Sequence, residues 1–182
     1  MKKVCVFLAD GFEEIEGLTV VDILRRAGVE TETVSVMGRK QINGSHGIIV
    51  EADKVFEEAD VADADMLVLP GGMPGTLNLK VHEGLREQIL SFNSQSKYLA
   101  AICAAPTVLS ELGILKGKKA CAYPSFEEEL DCGEVLKVPA VTDGNITTGR
   151  GMGAAIPFAL RLAAILCGDE KAEEIRKSVV YE

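Results

Sequence analysis

The sequence predicts an α/β protein whose mostly parallel sheet is covered by helices on both faces, and three observations predict it. Short β-branched or apolar runs alternate with amphipathic segments from one end of the chain to the other. Glycines and tight-turn dipeptides fall between those segments, where strands and helices must end. The chain has 182 residues, 47% of them hydrophobic, enough for one core of ordinary size, with no low-complexity tract and no repeat at a solenoid period.

The elements follow in order. Lys3 to Leu8 reads as the first strand, Phe12 to Arg26 as a helix closed by Gly28, and Glu30 to Val36 as the second strand. Asn43-Gly44 is a turn signal between Lys40-Gln41 and the apolar run Ile48 to Val50, which predicts a β-excursion outside the main sheet. Met66 to Leu69 reads as a buried strand ended by Pro70-Gly71-Gly72, with a helix from Thr76 to Phe92 after it. Tyr98 to Ile102 is a strand that runs straight into Cys103 and a helix, Ala104 to Leu112. Cys121 alternates with Ala120 and Ala122 in a short strand, and Asp143-Gly144 is a second tight turn before Asn145 to Thr148. Ala154 to Leu166 and Glu170 to Val179 read as closing helices, broken at Gly168.

Composition removes several classes of function. Asp and Glu number 28 against 19 Lys and Arg, a formal charge of -9, and no helix carries a basic stripe. Direct nucleic-acid binding is therefore not expected. Lys2 and Lys3 before the run Val4 to Ala9 imitate a signal peptide, but Glu13, Glu14 and Glu16 stand where a cleavage site would lie. No run approaches the ~18 apolar residues of a membrane span. Five cysteines without paired spacing indicate neither a disulfide framework nor a zinc knuckle. The expectation is a reduced, cytoplasmic protein.

Ligands of an open parallel sheet bind beyond the carboxyl ends of its strands. Three segments share that edge: Asp10-Gly11-Phe12, Pro70-Gly71-Gly72 and Cys103-Ala104. Cys103 sits among small residues at an abrupt strand-to-helix junction, which is the logic of a nucleophile elbow. The helix expected from Ala104 would bring free N–H groups and a positive dipole end, lowering the thiol pKa. A buried structural cysteine is the competing reading. Cys5, Cys121 and Cys167 read as core filler. His46, in the hairpin, and His82, in Val81-His82-Glu83-Gly84, both fall away from Cys103, so a Cys-His pair lacks support.

Glu16 shares a helical stripe with Phe12, Val20, Ile23 and Ala27, which buries its carboxyl, raises its pKa and makes it a general acid or base. A surface residue at the edge of that stripe is the alternative. Glu13 and Glu14 read as a negative first turn without chemistry. Gly71-Gly72 reads either as a plain turn or as a backbone that lets N–H groups approach a reacting oxygen. Arg150-Gly151-Met152-Gly153 also precedes a helix, but a lone G-x-G is weak evidence for phosphate binding.

Taken in order, Ala9-Asp10-Gly11-Phe12-Glu13-Glu14-Ile15-Glu16, Val21-Asp22-Ile23-Leu24-Arg25-Arg26-Ala27-Gly28, Leu69-Pro70-Gly71-Gly72, Ala101-Ile102-Cys103-Ala104 and Thr148-Gly149-Arg150-Gly151 resemble the ThiJ/PfpI superfamily, in its deglycase branch. The resemblance covers residues 1–182 as one domain. It implies a flavodoxin-like three-layer sandwich of the class I glutamine amidotransferase kind, a homodimer, and no metal or organic cofactor. It also implies that Cys103 is an oxidisable nucleophile, that a protonated Glu16 hydrogen-bonds it, and that Gly72 and Ala104 supply backbone donors. Gly71, Met73, Arg26, His46, Arg150 and Gly151 become pocket or interface positions. Two departures stand out. Ala104 replaces the His that peptidase relatives carry after the cysteine, which argues against peptidase activity. The branch's further His, before the final strand, is missing, and Cys132 falls roughly there. The implied activity is a cofactor-free conversion of 2-oxoaldehydes such as methylglyoxal and glyoxal, or their early adducts, to 2-hydroxy acids. The competing reading is an oxidative-stress sensor or holdase chaperone in which Cys103 becomes a sulfinate and nothing is turned over.

Overall fold

The computed structural model describes residues 1–182. Its first half runs β1 (Lys3–Leu8), α1 (Glu14–Arg26), β2 (Glu30–Ser35), β3 (Gln41–Asn43), β4 (Ile49–Glu51), β5 (Lys54–Val55), β6 (Met66–Leu69), α2 (Gly75–Val81) and α3 (Glu83–Ser94). The second half runs β7 (Tyr98–Ile102), α4 (Pro106–Glu111), β8 (Lys119–Ala120), β9 (Glu134–Val135), β10 (Ala140–Asp143), β11 (Ile146–Gly149), α5 (Ala155–Cys167) and α6 (Asp169–Ser178). Seven strands form one sheet in the order β10-β11-β7-β6-β1-β2-β5. All pairs in it are parallel except β10 with β11, joined by the turn read at Asp143-Gly144. The excursion after β2 is a separate antiparallel ribbon, β3 with β4.

Successive strand residues face opposite sides of a sheet, and here both sides are covered. Val4, Val6 and Leu8 pack with Phe12, Val20 and Leu24 and with Phe158 and Leu162 of α5. Cys5 and Phe7 pack on the other face with Leu85, Ile89 and Phe92 of α3 and Val108 and Leu109 of α4. Two apolar layers explain why the central strands read as continuous apolar runs rather than as alternating ones.

The short strand read over Ala120 to Ala122 is Lys119–Ala120 only, with Cys121 and Ala122 outside it, and three further boundaries differ from the sequence reading. The helix expected over Thr76 to Phe92 is two helices, because His82 leaves the helical region (φ -78, ψ 103) and its ring accepts the Leu85 N–H at 3.1 Å as the cap of α3. The helix expected from Ala104 begins at Pro106. α1 begins at Glu14, with Glu13 as its cap, because Gly11 and Phe12 turn the chain instead of joining the helix.

The topology fixes where a site can form. β1 connects to β2 on one side and β6 to β7 on the other, so the strand order reverses between β1 and β6, and the crevice lies beyond their carboxyl ends. The segments after β1, β6 and β7 all open into that crevice.

Candidate active site

Cys103 is the first residue after β7 and has φ of +65, a region that costs a non-glycine residue about 1–3 kcal/mol. Hydrogen bonds hold it there from both sides. Its N–H donates to Gly149 O at 3.0 Å, and its carbonyl accepts the Tyr123 N–H at 2.9 Å. The N–H groups of Gly72 and Ala104, the two donors expected, lie beside the half-buried sulfur and favour its thiolate.

Those contacts need glycine after β6. A Cβ on Gly71 would lie 2.6 Å from Cys103 Cβ and 2.7 Å from Glu16 Oε2. Gly72 has φ of +89, and a Cβ there would come within 2.3 Å of Glu13 N. The pair is therefore a close approach of backbone to the thiol and not only a turn.

Glu16 is 1% exposed, as its helical phase requires. One oxygen, Oε2, accepts the Gly71 N–H at 2.9 Å. Oε1 is buried with no hydrogen-bond partner, and the Cys103 thiol lies close enough to the carboxyl to act on its titration. Burial pushes the Glu16 pKa up to about 7, against the opposing pull of Cys103 and the Gly71 N–H. The thiol departs from the expected lowering. Burial, then the charge of Glu16, push it up to about 12, and the Gly72 and Ala104 N–H groups only partly offset them. The physical reason is that the thiol lies in a dehydrated crevice beside a carboxylate, two residues short of α4. The two groups titrate as a pair. When the proton sits on Glu16 the repulsion disappears, which removes the second of those causes and leaves burial as the one that the Gly72 and Ala104 N–H groups oppose.

Glu14 corrects the reading of a plain acidic first turn. It is 2% exposed and accepts the His46 N–H at 2.8 Å and the Ser45 hydroxyl at 3.2 Å, with His46 Nδ1 at 3.0 Å. Burial would raise its pKa, but the backbone N–H groups of Glu14, His46 and Ile48 and the His46 ring outweigh it and hold the group at about 2, while the His46 pKa is raised, chiefly by its hydrogen bond with Glu14. His46 thus locks the β3–β4 loop onto the start of α1 and does not approach Cys103 as a base. Glu13, Glu14 and His46 place ligand atoms within 4.8 Å of one another, the one arrangement of the chain with metal-site spacing. The Glu14 carboxylate in it is already taken up by loop donors.

The remaining candidates separate. Met73 is exposed in the loop after β6. Arg26 lies at the far end of α1, paired with Asp22 at 2.7 Å, so it is not in the pocket of its own chain. Arg150 and Gly151 follow Gly149 and line a cavity of about 570 Å³ beside the elbow. The residue bonded to Cys103 in the segment before the final strand is Tyr123, which the sequence reading missed. Cys132 instead neighbours Gly133, which bonds to Lys118 at the β8–β9 pair. Cys5 and Cys121 are buried as expected, whereas Cys167 is exposed, because α5 ends there and Gly168 turns the chain away.

A mostly parallel, flavodoxin-like sheet with a backbone-strained cysteine beside a buried acid at its carboxyl edge defines the class of protein. The family pattern of the DJ-1/PfpI family matches residues 2–165, and the chain belongs to that family. Protein dj-1beta of Drosophila melanogaster is 35% identical over 181 residues, covering 98% of this chain and 97% of that protein. The zebrafish (Danio rerio) Parkinson disease protein 7 homolog is 31% identical over 185 residues, covering 100% and 98%. The solved structure of oxidized DJ-1 from Toxoplasma gondii superposes with a TM-score of 0.96 at 35% identity, covering 100% of this chain and 99% of that one. The chain spans less than half of two Arabidopsis thaliana relatives, DJ-1 homologs A and B, 45% and 41% of their lengths. No helix is long and apolar enough to cross a membrane.

Proposed function

We propose that the protein converts small 2-oxoaldehydes, or their early adducts with amines and thiols, to 2-hydroxy acids through a covalent adduct of Cys103. The observation that carries this reading is the Cys103–Glu16 pair, a half-buried thiol beside a buried acid titrating near 7, with the Gly72 and Ala104 N–H groups at the sulfur and the Gly71 N–H on the acid. For methylglyoxal the steps balance as addition of water. The Cys103 thiolate adds to the aldehyde carbon, the new oxyanion lies against the Gly72 and Ala104 N–H groups, and Glu16 protonates it. Glu16, now a carboxylate, removes the proton from that carbon and returns it to the neighbouring one, leaving a lactoyl thioester. Water cleaves the thioester, releasing lactate and the thiol. Ala104 after the cysteine, and the absence of a His near it, leave the protonation of an amine leaving group without a donor of the usual kind, which weighs against peptide cleavage. A Bacillus subtilis relative, 33% identical over 151 residues, is nonetheless named as a candidate cysteine protease.

A second reading rests on the same donors, since the Gly72 and Ala104 N–H groups would equally hold the oxygens of a sulfinate formed with peroxide as oxidant. The Toxoplasma gondii relative is described as oxidized. Turnover of methylglyoxal without glutathione, lost in Cys103→Ala, separates a catalyst from a sensor. Self-association into a homodimer, and residence in the cytoplasm, belong to the same proposal. The exposed Ile15 and Leu18 of α1 and Ile48 and Ile49 of the hairpin offer an apolar face for a second copy, and sedimentation at micromolar concentration reads it directly. A monomeric mass rejects it.

A further inference from the structure

The cavity of about 570 Å³ adjoins the Cys103 elbow without containing the cysteine. Its walls are tied to the nucleophile's own backbone. Tyr123 donates its N–H to Cys103 O, and Cys103 donates to Gly149 O, one residue before Arg150. The Arg150 N–H donates in turn to Pro139 O at 3.0 Å, which fixes a second wall. Three backbone hydrogen bonds therefore tie the walls of this cavity to one another and to the Cys103 backbone.

Most of the lining is apolar or aromatic, with Tyr123 and Met152 respectively 48% and 54% exposed beside Pro157 and Tyr181. Two cations, Arg150 and Lys137, interrupt it. Arg150 is poorly neutralised. Its Nη2 is 3.6 Å from Glu127 Oε1, that oxygen is buried without a hydrogen bond, and the Arg150 Nε is likewise buried without a partner. Lys137 is exposed and makes no ion pair. In a chain of net charge -9, two under-used cations in one apolar cavity select an anion, and a guanidinium favours a carboxylate over a neutral amide.

We propose that this cavity holds the non-reacting end of the substrate and recognises a carboxylate on a short apolar stem. The preferred substrates are then 2-oxoaldehyde adducts of carboxylate-bearing amino acids or thiols rather than neutral adducts, an inference about substrate that rests on the cysteine chemistry proposed above. Arg150 and Lys137 set specificity, and Tyr123 and Met152 clasp the stem.

The test has two arms. In the first, N-acetyl-leucine and its amide are titrated calorimetrically into wild-type protein and into the Arg150→Met/Lys137→Met double variant. The acid should bind about tenfold more tightly than the amide, and the difference should vanish in the double variant. Equal affinities, no binding of the acid, or a preference that survives the double substitution would overturn the subsite. Lys137→Met alone, at an exposed position, keeps the test valid if the double variant does not fold, and should cut the preference about threefold. In the second arm, the hemithioacetals of methylglyoxal with N-acetylcysteine and with its amide are compared. The ratio of kcat/KM should favour the acid about tenfold and fall to near one in the double variant. Binding preference without turnover of either adduct would sink the catalytic reading and leave the subsite standing. Turnover without preference would do the reverse.

Discussion

Replacing Glu16 by Gln should make the protein relatively more stable as pH rises from 4.5 to 7. Gln keeps an acceptor for the Gly71 N–H and a donor toward the sulfur, but cannot ionise. The carboxyl's folded pKa of about 7 lies above its ordinary 4.5. A raised pKa contributes stability that is complete below the unfolded value and is lost as pH climbs through the folded one. At 1.36 kcal/mol per pH unit, the gap amounts to about 3 kcal/mol by which wild type falls relative to Glu16→Gln across that window. Urea denaturation at a fixed protein concentration, from pH 4 to 7.5, measures it. For an m-value of about 2 kcal/mol/M the separation of midpoints should change by about 1.5 M. The upper limit of pH keeps the titration below the ordinary thiol range. A separation that stays constant across the window, or moves the other way, would refute the claim that this carboxyl is ionised only at a cost.

Two further outcomes follow from the same geometry. Gly71→Ala would force a Cβ to within 2.6 Å of Cys103 Cβ and 2.8 Å of Ile102 O, so it should destabilise the fold by about 1–3 kcal/mol and slow Cys103 alkylation by at least tenfold, read by thermal melting and by labelling kinetics. Limited iodoacetamide at pH 6 should label Cys103 ahead of the exposed Cys167 when peptides are weighed by mass spectrometry, because the Gly72 and Ala104 N–H groups and a protonated Glu16 favour the Cys103 thiolate, whereas the Cys167 thiol faces the Ala27 carbonyl at 3.9 Å. Preferential labelling of Cys167 would show that exposure alone sets reactivity.

The parts of the molecule legible in the sequence are those whose physics is local. β1, β6 and β7 announce themselves as apolar runs because both faces of the sheet are covered, and the β3–β4 ribbon is signalled by Asn43-Gly44, although Asn43 still pairs in β3 and the chain turns at Ser45-His46. Glu16 was legible because its burial follows from its phase against Phe12, Val20 and Ile23. Glu14 was not. The groups that bury and bond it, Ser45 and His46, arrive from a hairpin more than thirty residues away. Tyr123 escaped for the same reason, its place beside Cys103 being set by one long-range backbone bond. The break at His82 was hidden because an imidazole ring acts there as the helix cap, a task ordinarily given to Ser, Thr, Asp or Asn. The thiol pKa was misjudged because a short-range feature, the start of a helix, was weighed without the burial and the carboxylate that tertiary packing brings to it.

The central claim is that Cys103 and Glu16 act as one proton-sharing pair in covalent turnover. Its most direct measurement is the formation of lactate from methylglyoxal, without glutathione, by wild type, Cys103→Ala and Glu16→Gln, with Cys103 alkylation followed in parallel. Wild type should turn over steadily. Cys103→Ala should form no lactate above background, and Glu16→Gln should lose about 10²–10⁴ in kcat while its Cys103 is still alkylated. Wild-type turnover in Glu16→Gln would contradict the account and reduce Glu16 to a structural neighbour of the thiol.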